Sequence, residues 1–120
     1  MSLAKKLNFK PGQTAEVFVR PEGVSLGDVE VVASGATGGV IVFARSKADV
    51  DAQLEPVLAA LRAGQIPWIM YPKAGQLGTD LNRDILNRHM RSVHGLGANR
   101  QISVDDTWSA LRFKHVIEDD

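Results

Sequence analysis

The sequence predicts one three-layer α/β domain over residues 1–120, with a mostly parallel sheet and an antiparallel last strand. Three observations predict it. Strand-type and helix-type segments alternate through the middle of the chain, the pattern of helices packed on a sheet. VIVFA, residues 40–44, is apolar at every position, as a strand covered on both faces must be, and such strands belong to parallel sheets. RQISVDDTWSALRFKHV closes the chain with two strand-type runs joined at Asp105-Asp106, a connection too short for a crossover helix, so the two runs pair antiparallel.

Each element has a local reason. Pro11-Gly12 makes a turn, and TAEVFVR from Thr14 to Arg20 follows it as the first strand. VEVVA from Val29 to Ala33 is the second and VIVFA the third. The stretch from Arg20 to Val40 has room for turns but no long helix. Gly35 to Gly39 has a strand after it rather than a helix, so it reads as a turn and not as a dinucleotide loop. Ser46 is a good N-cap, with Asp49 three residues on. Val50, Leu54, Val57, Leu58 and Leu61 then form one apolar stripe, and Gly64 suits a left-handed C-cap. Pro56 disfavours helical geometry at Glu55 and predicts a kink or break there. IPWIMY from Ile66 to Tyr71 is the fourth strand, with proline tolerable only at its start. A second helix is expected from Thr79 or Asp80, with Leu81, Ile85, Leu86, Met90 and Val93 as its stripe and Gly95 at its end. Asp84 and Arg88 stand at i, i+4 in the favourable order.

Composition limits the function. The apolar share of 44% over 120 residues supports a globular core, and 14 basic against 14 acidic residues give no net charge. Nucleic-acid binding is therefore not expected. No apolar run is long enough to span a membrane, and MSLAKKLNF lacks the apolar centre of a secretory signal. There is no cysteine, which removes disulfides, thiolate nucleophiles and cysteine-bound zinc. A cytoplasmic location is the expectation. Met1-Ser2-Leu3 is assigned no structural weight. Arg83, Arg88, Arg91 and Arg100 cluster in one segment, as a solvated helix face or an anion-binding one, and Glu118-Asp119-Asp120 makes an acidic tail.

NFKPGQTAEVFV, then VIVFARS and IPWIMYPK each followed by a helix, then the closing hairpin, together resemble class I methyltransferases in layout, with one strand–helix unit missing. That resemblance implies a Rossmann-like fold. The methyltransferase strand-end acid and glycine loop are replaced here by Val19-Arg20-Pro21-Glu22-Gly23-Val24, so no S-adenosylmethionine and no other cofactor is expected. A second resemblance is more specific. KPGQ, PEG, YPK, TDLNRD and VDDTWSALRF resemble the blocks of a family of small bacterial proteins of unassigned function, spanning nearly the whole chain. It implies a bacterial α/β domain and no particular activity.

In open parallel sheets ligands bind beyond the carboxyl ends of the strands. Arg20, Arg45 and Lys73 each follow a strand, and the hairpin is expected to bring Asp105, Asp106 and Trp108 to the same edge, with Asp80 entering from the second helix. These seven are the candidate ligand-binding residues, and opposite charges among them are expected to pair. Four of them also have a structural reading: Asp80 as an N-cap, Asp105 and Asp106 as turn chemistry, and Trp108, like Trp68, as packing. His89 and His94 are five apart, whereas metal pairs on a helix favour i, i+4, so no metal site is expected. The leading expectation is a non-catalytic domain that binds a small charged ligand or a protein partner; a homo-oligomer is left open. The alternative is a small enzyme acting on a small charged metabolite at the strand ends.

Overall fold

A computed structural model describes residues 2–73 and 75–116. The acidic tail Glu118-Asp119-Asp120 lies outside the described residues. A one-turn helix α1 (Leu3–Lys6) leads into β1 (Thr14–Phe18), a short β2 (Glu30–Val31) and β3 (Gly39–Phe43). Helices α2 (Lys47–Ala52) and α3 (Leu54–Arg62) precede β4 (Ile66–Pro72). Helix α4 (Arg83–His89) runs without a break into a π-helical turn (Met90–His94), and β5 (Leu96–Ser103) and β6 (Trp108–His115) form the closing hairpin. The six strands make one sheet in the order β2-β1-β3-β4-β6-β5. Strands β1 to β4 pair parallel, and β6 is antiparallel to both β4 and β5. The mostly parallel α/β sheet and the antiparallel last strand are as the sequence predicts. Among the described residues no helix is long and apolar enough to cross a membrane.

Alternation along the strands divides the core in two. Val42, Ile69, Tyr71, Leu111 and Phe113 face Val50, Val57, Leu86 and Met90 of the longer helices. Their neighbours Ile41, Phe43, Trp68, Met70 and Ala110 face the other way, onto Leu7, Phe9 and Leu26. The second face is thus covered by α1 and irregular chain rather than by long helices. Of Met1-Ser2-Leu3, assigned no structural weight, Met1 lies outside the described residues, and Leu3 packs onto that second core. Ser2 Oγ accepts from Lys5 N–H, and Leu7 is fully buried. The indole Nε1 of Trp68 donates to the Leu7 carbonyl at 2.9 Å, so the buried indole has the partner it needs. Asp28 Oδ1 accepts from Ala4 N–H, which fixes α1 to the loop after β1.

Close approach explains the glycines before β3. A Cβ on Gly39 would fall on the Ile66 carbonyl of the neighbouring strand. One on Gly38 would meet the Phe9 ring and the Thr14 carbonyl. Gly38 and Gly39 are therefore packing features, whereas Gly35 has a left-handed backbone (φ 72°) and open space around it.

The break expected at Glu55 falls instead at Gln53 (φ −109°, ψ 20°), between α2 and α3, and Glu55 is helical. Proline then falls in the first turn of α3, where its missing N–H has no helical partner to lose. Gly64 takes the left-handed conformation after α3 (φ 72°) and Gly95 does so after the π-helical turn (φ 70°).

Three local expectations are corrected. Helix α4 starts later than Thr79 or Asp80: Asn82 is its N-cap, with Oδ1 accepting from Ile85 N–H at 2.8 Å. Asp84 pairs with its neighbour Arg83 at 3.3 Å rather than with Arg88, and both groups are exposed, so the pair contributes little. Val93 is exposed instead of belonging to the stripe, because a π-helical turn holds more residues than an α-helical one and shifts the later positions of the helix out of register.

Candidate functional site

The sheet order places β1 and β3 side by side, although β2 lies between them in sequence. The chain goes from β1 to one side and returns to the other. The carboxyl ends of β1 and β3 therefore flank a point where the strand order reverses, where open α/β sheets hold ligands. A cleft of about 240 Å³ opens there, lined by Val19, Arg20, Pro21, Phe43, Arg45, Asp49 and Trp108. Three of the seven sequence-derived candidates, Arg20, Arg45 and Trp108, thus share one cavity. Val19, between β1 and Arg20, has φ 61°. A β-branched side chain seldom takes that conformation, and strained residues of this kind gather at ligand sites.

The remaining candidates separate. Lys73 stands at the same end of the sheet as the Asp105-Asp106 turn: Pro72 is opposite Trp108, and Lys73 N–H donates to the Thr107 carbonyl at 2.7 Å. Its side chain leads away from the cleft, with Nζ donating to Ser103 Oγ at 2.8 Å. Asp105 Oδ1 accepts from the N–H groups of Thr107 and Trp108, which shapes the turn. Asp106 and Asp80 are exposed and do not line the cleft. Beside Asp80, Thr79 donates through Oγ1 to the Arg45 carbonyl at 2.7 Å and accepts from Leu81 N–H, fastening the loop before α4 to the end of β3.

The charges at this edge do not pair as expected. Among the described residues the ion pairs are Arg62–Glu55, Arg83–Asp84 and the contacts of His89 and His94 with Asp51. None joins Arg20, Arg45 or Lys73 to a carboxylate. The reason is local: Asp105 is used by its own turn, and Asp49 Oδ2 accepts from Arg45 N–H in the cap of α2, while Ser46 Oγ accepts from Asp49 N–H. Trp108 lies beneath the cleft. It is buried and edge-on to Phe43, with ring centroids 5.1 Å apart at 84°, so it forms the floor of the cleft. A wider cleft, about 800 Å³, lies between α1, the loop after β1 and the Asp105 side of the hairpin. It holds Lys6, Glu22 and Asp28, of which Asp28 is held below the usual carboxylate pKa, chiefly by the Ala4 N–H.

A second constellation is one that the spacing in the sequence argues against. His89 ends α4 and His94 ends the π-helical turn. In an α-helix five residues subtend about 500°, so the two rings would diverge by roughly 140°. The wider π turn, with i to i+5 hydrogen bonding, returns position i+5 to nearly the same face. Both Nε2 atoms lie 2.7 Å from Oδ1 of Asp51 on α2. The histidine side chains are only 14% exposed and their rings meet edge-on at 5.6 Å. Hydrogen bonds from His89 first, then from His94, hold the Asp51 carboxyl below the usual carboxylate pKa, against a smaller desolvation effect. A spacing of five excludes a metal pair only on a regular helix, and the helix is not regular there.

Compared with family models, curated proteins and solved structures, the chain matches none.

Proposed function

We propose that the chain is a non-catalytic binding domain for a small anionic ligand, held in the cleft between the ends of β1 and β3. The observation that carries this reading is the cleft itself. Arg20 and Arg45 line one cavity at the point where strand order reverses, and no ion pair among the described residues engages either guanidinium. A guanidinium pair suits a carboxylate or phosphate, which it can hold through parallel N–H groups. Phe43 and Trp108 supply an apolar floor for the rest of the molecule. Binding is favoured over catalysis because the carboxylate that lines the cleft, Asp49, is turned back to the cap of α2, with Oδ2 accepting from the Arg45 N–H.

A Rossmann-like, methyltransferase-like layout with one strand–helix unit removed supports the same location, and the KPGQ, PEG, YPK, TDLNRD and VDDTWSALRF blocks resemble those of small bacterial proteins without adding an activity. The strand order β2-β1-β3-β4-β6-β5 suits that reading, and the turn after β1 carries Arg20 and Pro21 where a cofactor loop would need glycines.

The test is a thermal-shift screen of small carboxylates and phosphates, with calorimetry on the positives. Arg20→Ala and Arg45→Ala are each expected to weaken a binding anion about tenfold or more, since hydrogen bonds to charged groups contribute roughly 1.5–3 kcal/mol. Unchanged affinity in the double variant overturns the site.

A further inference from the structure

We propose that Asp51, His89 and His94 bind a divalent transition-metal ion of the zinc class, leaving at least one coordination position open. The donor set is the first ground. Two imidazole nitrogens and one carboxylate oxygen suit zinc and its neighbours, whereas magnesium and calcium favour oxygen alone. Three protein ligands and an exogenous fourth is the arrangement of an open zinc site.

Convergence is the second ground. The three ligand atoms lie within 4.8 Å of one another, and both Nε2 atoms point at one oxygen. Ligands at about 2.0–2.1 Å from a tetrahedral ion stand roughly 3.3 Å apart. The present contacts of 2.7 Å need the carboxylate to retreat by about 0.6 Å. Asp51, with its side chain 45% exposed, is free to do so, while the two rings are held by the helix and its packing. Each Nε2 now donates a proton to Asp51, because an ionised carboxylate only accepts. On metal binding that nitrogen presents its lone pair, and the neutral ring carries its proton on Nδ1.

The backbone is the third ground. A π-helical turn is rare and recurs at functional positions. Here it turns Val93 out to solvent, and it is the feature that places His94 beside His89. A cleft of about 390 Å³ adjoins His89, with Lys47, Arg88 and Ser92 in its wall. Two cations there disfavour a bare dication and favour an anion or hydroxide as its fourth ligand.

The experiment is calorimetric titration of the full chain, stripped by chelator, with Zn²⁺ and in parallel with Mg²⁺. One Zn²⁺ per chain and no Mg²⁺ binding are expected. Outer hydrogen-bond partners of metal ligands contribute roughly 10–100-fold in affinity, so Asp51→Asn and His94→Gln, each lacking a ligand, are expected to lose about 100-fold or more. Asp51→Asn keeps the side-chain volume and an acceptor oxygen, so circular dichroism is expected to match the parent. Loading the parent chain with Co²⁺ adds a readout independent of any variant, the visible absorption of a four-coordinate centre. No stoichiometric Zn²⁺ binding, a featureless Co²⁺ spectrum, or unchanged affinity in both variants overturns the proposal.

Discussion

Two regions of this molecule gather charged side chains, and they do so in opposite ways. At the strand ends, Arg20 and Arg45 lie on separate connections that the sheet brings together, and no carboxylate among the described residues pairs with them. On the helical face, Asp51, His89 and His94 converge to hydrogen-bond distance. The first region follows from topology, since any parallel sheet aligns the residues that follow its strands. The second depends on one helical irregularity and on how α2 packs beside α4. A site made by strand order tolerates local change, whereas a site made by one wide turn does not.

The largest expected effect breaks both regions together. Gly39→Ala puts a methyl into the Ile66 carbonyl, and β3 carries both the Arg45 end of the cleft and the start of α2. Overpacking of this kind typically costs 1–3 kcal/mol and more where backbone must move, so a loss of at least about 3 kcal/mol is expected. A denaturant midpoint within error of the parent excludes this account of the β3–β4 contact.

Asn82→Ala separates the regions. It removes the cap of the helix that carries His89, at a cost of about 1 kcal/mol. The histidine cluster is expected to loosen while the Arg20–Arg45 cleft keeps its anion affinity. Equal losses at both sites mean that the two regions are coupled rather than independent.

Tyr71 lies under the helical face and is the single tyrosine of the chain, so its phenolate absorbance is unambiguous. Burial raises its pKa above the usual 10, opposed by hydrogen bonds from Gln101 and Ser109. A raised folded-state pKa gives stability that is complete below the unfolded value and lost as pH rises through the folded one. Alkaline unfolding is therefore expected to set in above about pH 10 and to be shallower in Tyr71→Phe. Identical pH profiles for the two proteins would show that the buried phenol contributes nothing.

The smallest effect is a null one. Asp80 is neither the cap of α4 nor part of the cleft, so Asp80→Ala is expected to change stability by no more than about 0.5 kcal/mol. A loss near 1 kcal/mol would restore it as a capping residue.

The alternation of strand and helix, the run VIVFA and the short Asp105-Asp106 connection determined the mixed sheet, and with it the edge on which Arg20, Arg45 and Trp108 stand. These features were legible because period, chain continuity and connection length are local properties. Pairing of charges was not legible: whether Asp105 or Asp49 meets a cation depends on competition from backbone N–H groups that only the folded turns present. Leu3 carried no weight in the sequence because the face it helps to cover, with Leu7 beneath Trp68, exists only once the sheet has formed. The histidine cluster was the least legible. His89 and His94 share a face only when the helix widens, and Asp51 reaches them from 38 and 43 residues away. Sequence sets which groups are available, but their convergence is decided by a fold that widens one helix and lays another beside it.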